Sequence, residues 1–118
     1  MTKITAAITA VGKYLPDFVL SNKVLETMVE TNDEWILSRT GISERRILKG
    51  EGKGTSFMAI KATEDLIQKS KIDPKEIDLV IVATATPDMQ AASTAAFVAS
   101  SVAILTPSGK YCLANSPT

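Results

Sequence analysis

Histidine is missing from this 118-residue chain, and cysteine occurs once, as Cys112. The first absence removes His-dependent triads, His-liganded zinc and the commonest general base. The second removes an internal disulfide and any multi-cysteine metal site. Long apolar runs are missing too: none is longer than that around Leu79 to Ala83, which falls far short of the about 20 residues that cross a bilayer. The opening M-T-K-I-T lacks the charged-then-apolar order of a secretory signal, so the expectation is a cytoplasmic protein that engages no membrane. No charge sign dominates, since 13 basic residues face 13 acidic ones, and neither nucleic acid nor an anionic surface is implied as a partner. With 45% apolar and 22% charged residues the composition is that of an ordinary globular protein, sized for one domain with a single core. It is small for an enzyme that must enclose a long substrate, and could be half of a larger fold.

What is present concentrates between Thr31 and Arg46, in T-N-D-E-W-I-L-S-R-T-G-I-S-E-R-R. Asn32 can cap a helix by accepting from a free backbone N–H, Asp33 and Glu34 place negative charge in its first turn, and Gly41 supplies the left-handed residue that ends it. The signals agree on a short helix, Asp33 to Thr40. On it Trp35 and Arg39 stand one turn apart on one face. They can offer an indole ring and a guanidinium to one ligand, and a nucleotide would suit both. Equally, Trp35 can belong to a core or interface, with Arg39 lying along its face or meeting a carboxylate.

Elsewhere the chain reads as alternating strand and helix. Ile4, Ala6, Ile8 and Ala10 alternate toward a strand from Lys3 to Val11, broken by Gly12, Pro16 and Asp17. Ser21 or Asn22 can cap a helix whose Val24, Leu25, Met28 and Val29 form an apolar stripe leading directly into the Trp35 helix. The glycines of K-G-E-G-K-G lack the Gly-Lys-Ser/Thr end of a phosphate-binding loop, and a flexible surface loop is expected. Thr55 or Ser56 can cap a long helix to about Ser70, with Ala59, Ala62 and Leu66 along one face. The β-branched run I-D-L-V-I-V-A-T-A-T-P-D predicts a strand buried on both faces, as in a parallel sheet covered by helices. After a loop, Ser93 or Thr94 can cap a small-residue helix to about Ser101; the last residues read as polar and turn-like. The fold class expected is α/β.

Three strings resemble one family, β-ketoacyl-acyl carrier protein synthase III: G-K-Y-L-P-D from Gly12, the Trp35 segment, and I-V-A-T-A-T-P-D-M followed by Ser93 and Thr94. The resemblance covers residues from about 4 to 100, and implies the N-terminal portion of a thiolase-like fold, with a mixed or parallel sheet covered by helices. It also implies a dimeric condensing enzyme that joins an acyl-CoA starter to malonyl-acyl carrier protein, with coenzyme A as part of a substrate rather than a resident cofactor. Under it Trp35 would stack on the adenine of coenzyme A, with Arg39 and Thr31 at the same entrance. For Thr31 a simple helix-start hydroxyl is the competing reading. Met89 and Ala91, in the loop before Ser93, would line a pocket wall in the partner subunit, or form an ordinary exposed loop.

The resemblance stops near residue 101. The family's chemistry needs a cysteine in an Ala-Cys turn plus a later histidine and asparagine. By the family's spacing the nucleophile should fall near Ser116, where the sequence reads N-S-P-T; Cys112 lies close but in K-Y-C-L-A-N, without the small-residue context. Residues 1–100 are therefore expected to be a thiolase-like half and 101–118 a divergent tail from a truncated or frame-shifted coding sequence. No catalytic residue is expected in the chain. Val102 to Leu105 could serve as a substitute strand, and an exposed half-interface would favour a homo-oligomer.

Overall fold

The computed structural model describes residues 5–88 and 93–102, and the backbone of 111–114. The chain divides into two compact units, one of Leu15–Lys53 and one of Met1–Tyr14 with Gly54–Thr118.

In the unit Leu15–Lys53, strand β1 (Phe18–Ser21) runs into helix α1 (Asn22–Leu25), and helix α2 (Asp33–Thr40) is followed by strand β2 (Glu44–Ile47). β1 and β2 pair antiparallel, from Phe18 opposite Ile47 to Ser21 opposite Glu44. The ribbon is tied at its open end by Arg46, which donates to the carbonyls of Pro16 and Asp17, and by Lys49, whose Nζ sits 3.2 Å from the Phe18 ring centroid. Ser21 caps α1 by accepting from Val24 N. That helix is one turn long and does not run on into α2. Its predicted apolar stripe stays largely in solvent, with Val24, Met28 and Val29 exposed.

The second unit begins with residues 5–14, which form no strand. The alternation there supplies two faces, but a strand also needs a neighbour for its N–H and C=O groups, and none is paired to it among the described residues. Ile8 is left 90% exposed. Gly12 instead passes so close to helix α3 (Thr55–Ser70) that a Cβ would overlap the Ala62 carbonyl oxygen and lie 2.6 Å from Leu66 Cβ. Lys13 N donates to Asp65 of the same helix. The cap of α3 is Gly54 rather than Thr55 or Ser56. One of its free N–H groups is met from a distant part of the chain, since Ser56 N donates to both oxygens of Asp88, at 3.2 and 3.1 Å, and beside it the Thr55 hydroxyl donates to Thr86 O.

A short 3-10 turn, Pro74–Glu76, leads to strand β3 (Val80–Ala83), which pairs in parallel with β4 (Tyr111–Ala114) in the register Val80–Tyr111 to Ala83–Ala114. Helix α4 (Thr94–Ser101), capped by Ser93, one of the two expected candidates, packs against α3 and both strands. Thr94, Ala95, Val98 and Ala99 are buried at these contacts, where short side chains allow close approach. The architecture is α/β. The strand is not buried on both faces, however: Val80 and Val82 are half-buried, but Ile81 is 62% exposed because α4 covers one side only among the described residues. The Val102–Leu105 alternative falls largely outside the described residues, and the stretch read as turn-like contains β4 instead. A strand so placed is set by its neighbour β3, which local residue preferences do not reveal.

Candidate functional site

Helix α2 forms as its end signals predict. Asn32, in extended backbone, accepts from Trp35 N at 2.8 Å, and Gly41, at φ 68°, closes the helix by donating its N–H to Leu37 O. Ile36 is the one α2 residue buried in its unit. One turn face therefore points inward through Ile36, which leaves Trp35 and Arg39 outward. Trp35 is 56% exposed, so it is not a core residue of this chain, and the interface alternative stays open. Arg39 does lie along the indole, with its guanidinium carbon 5.8 Å from the ring centroid.

Two open hollows meet at this ring. One, of about 280 Å³, is lined by Glu30, Thr31, Asn32 and Trp35; the other, of about 320 Å³, by Asn32, Glu34, Trp35 and Ser38. Thr31 is thus beside the indole, and the helix-start role considered for it belongs to Asn32. The surface combines an exposed aromatic plane, one cation, short polar groups and the carboxylates of Glu30 and Glu34, and its ring suits a planar ligand. Met89 and Ala91 lie outside the described residues. For Cys112 only its backbone place in β4, opposite Ile81, is described.

What holds α2 in place was not visible as a motif. Asn22, 1% exposed, donates to Asp33 Oδ1 (2.6 Å) and to Ile42 O (2.8 Å), and accepts from Arg45 Nη2 (2.8 Å). Asp33 N in turn donates to Glu26 Oε1. One buried amide thereby joins the start of α1, the first turn of α2 and strand β2. Arg45 Nη1, also buried, has no partner among the described residues, so Asn22 is the acceptor that satisfies this guanidinium. The only hint in the sequence was two local cap candidates, Ser21 and Asn22, where one suffices. Glu30 was also missed, for want of any local signal beyond its place before Thr31.

Among the described residues, no group of His, Cys, Asp and Glu could hold a metal ion, and no helix is long and apolar enough to cross a membrane.

No protein-family model matches the chain. Individual relatives do. The chain is 56% identical over 98 residues to the β-ketoacyl-[acyl-carrier-protein] synthase III of Phocaeicola vulgatus, covering 83% of this chain and 29% of that protein. It is 57% identical over 99 residues to the synthase of the same name from Porphyromonas gingivalis, covering 84% and 30%. Among solved structures it is similar to the 3-oxoacyl-[acyl-carrier-protein] synthase III of Aquifex aeolicus, with 40% identity and a TM-score of 0.77 over 89% of this chain and 32% of that one. It is likewise similar to a priming β-ketosynthase of a polyketide biosynthetic pathway, with 31% identity and a TM-score of 0.79 over 91% and 32%. The chain spans about 30% of the length of the curated relatives it matches. It resembles 3-oxoacyl-[acyl-carrier-protein] synthase III over that share, with the α/β fold of the thiolase-like kind.

Proposed function

From its homology to roughly a third of a β-ketoacyl-[acyl-carrier-protein] synthase III, we propose that this chain supplies the coenzyme A entrance of such a synthase. Trp35 stacks on the adenine, Arg39 meets phosphate and Thr31 borders the base. The observation that carries this reading is the outward Trp35, with Arg39 one turn on and Thr31 beside it, on a helix fixed at both ends. Stacking of a base on an aromatic ring contributes about 1–3 kcal/mol, and a guanidinium adds orientation through charge-assisted hydrogen bonds to phosphate.

The parent activity is decarboxylative Claisen condensation of acyl-CoA with malonyl-acyl carrier protein, in a cytoplasmic homodimer. Coenzyme A enters and leaves as part of the substrate. In this reading residues 1–100 are the synthase-like part and 101–118 a divergent tail, with Met89 and Ala91 lining the partner's acyl pocket. No residue here forms the Cys-His-Asn centre, so the 118-residue chain alone does not condense acyl groups. Exposed Ile8, Val11, Leu79 and Ile81 in one unit favour self-association of the isolated chain, and a dimerisation module is the second reading.

Calorimetric titration with coenzyme A tests the binding claim. Saturable binding that Trp35→Ala weakens by about 5- to 150-fold, the factor that corresponds to one stacked base, is expected. Equal binding by the variant would remove Trp35 from the site.

A further inference from the structure

Arg39 lies over the ring of Trp35, the ring proposed above to stack on a base. Its guanidinium carbon is 5.8 Å from the Trp35 centroid, within the range of a cation–π contact, and the two residues stand four apart on a helix. Both side chains lie at the exposed surface, which leaves Arg39 able to swing away.

We propose that Arg39 is an intramolecular placeholder on Trp35, displaced by an incoming base and thereby released to meet the phosphate attached to it. The inference rests on the coenzyme A reading above and adds to it a switch with two opposed contributions. For a ligand that offers only a planar base, Arg39 is a competitor. For one that offers base and phosphate together, the same residue is a recruiter. A nucleoside gives up the guanidinium–indole contact and gains nothing for it, whereas a phosphorylated ligand offsets the same loss through its own contact with the freed guanidinium. Glu30 and Glu34 line the hollows and set negative charge at their edge, which an incoming phosphate must pass.

The experiment uses the full chain, whose single tryptophan makes fluorescence a report on Trp35 alone. Acrylamide quenching, adenosine titration and coenzyme A titration are measured for the unaltered chain, Arg39→Ala and Arg39→Lys, with circular dichroism to establish that each is folded. Arg39→Ala is expected to raise acrylamide quenching and to tighten adenosine by about 2- to 5-fold, the factor that corresponds to an exposed cation–π contact. The same change is expected to weaken coenzyme A by about 3- to 30-fold, and Arg39→Lys to fall between on both ligands. Opposite signs for the two ligands support the placeholder. The same sign for both, or unchanged acrylamide quenching, overturns it. If neither ligand binds the unaltered chain, the coenzyme A reading fails, and the acrylamide comparison still decides whether Arg39 shields the ring.

Discussion

Replacing Asn22 with alanine should loosen the platform that holds the Trp35 helix. The side chain is 1% exposed and makes three hydrogen bonds, to Asp33 Oδ1, Ile42 O and Arg45 Nη2. Truncation leaves all three partners without their amide. Arg45 is the costliest of them, because its Nη1 is already buried without a partner. Net loss at about 1 kcal/mol per part-buried bond gives about 3 kcal/mol, and the charged partner pushes the figure upward. Against a usual total of about 5–15 kcal/mol that is a large fraction. Urea unfolding followed by Trp35 fluorescence reads the unit that contains both residues, and a slope of about 1–3 kcal/mol per molar predicts a midpoint lowered by at least about 1 M. Asn22→Asp is a sharper version: it keeps the acceptor for Arg45 but loses both donors and sets a carboxylate against Asp33, so it should destabilise at least as much at neutral pH. A loss below about 1 kcal/mol in both variants would refute the view that this amide organises the platform.

Gly12→Ala should destabilise the other unit by about 1–3 kcal/mol, since the new methyl group meets the backbone of α3; Gly41→Ala meets nothing within 4 Å and should cost only the about 1–2 kcal/mol of a left-handed backbone, both read by thermal melts. Asp88→Ala should cost about 1 kcal/mol by uncapping α3, and Asp88→Asn, which still accepts, should recover most of it. The Asp65 carboxyl is held below its ordinary value by the hydrogen bond from Lys69 and then by that from the Lys13 backbone. A carboxylate whose folded value is depressed stabilises fully above its unfolded value, about pH 4, and loses that stabilisation as pH falls through the lower folded value. Asp65→Asn should accordingly flatten the acid limb of stability below about pH 4 and leave its shape near neutrality unchanged, as acid titration of the two chains would show.

The parts of the fold that were legible in the sequence are those whose causes lie within a few residues. Asn32 and Gly41 delimit α2, and Ser93 starts α4, because a cap acts on N–H or C=O groups one turn away. The parts that were not legible depend on distant partners. The alternating run to Val11 has strand chemistry but no ladder among the described residues, whereas Tyr111–Ala114, in a stretch rich in turn residues, gains one from β3. Asp88 caps α3 from 32 residues away, a pairing that no local pattern announces. The candidate site divides in the same way. The Trp35–Arg39 face follows from helical spacing, but Asn22 reads locally as a cap and becomes the buried junction only when β2 brings Ile42 and Arg45 to it.

The central claim, that the Trp35 face receives coenzyme A, is most directly tested by nuclear magnetic resonance, where one tryptophan yields one indole N–H signal. Titration with coenzyme A is predicted to move that signal saturably, together with the backbone amides from Glu30 to Arg39. Saturable shifts confined to other residues, or no shift at millimolar coenzyme A, would contradict the claim.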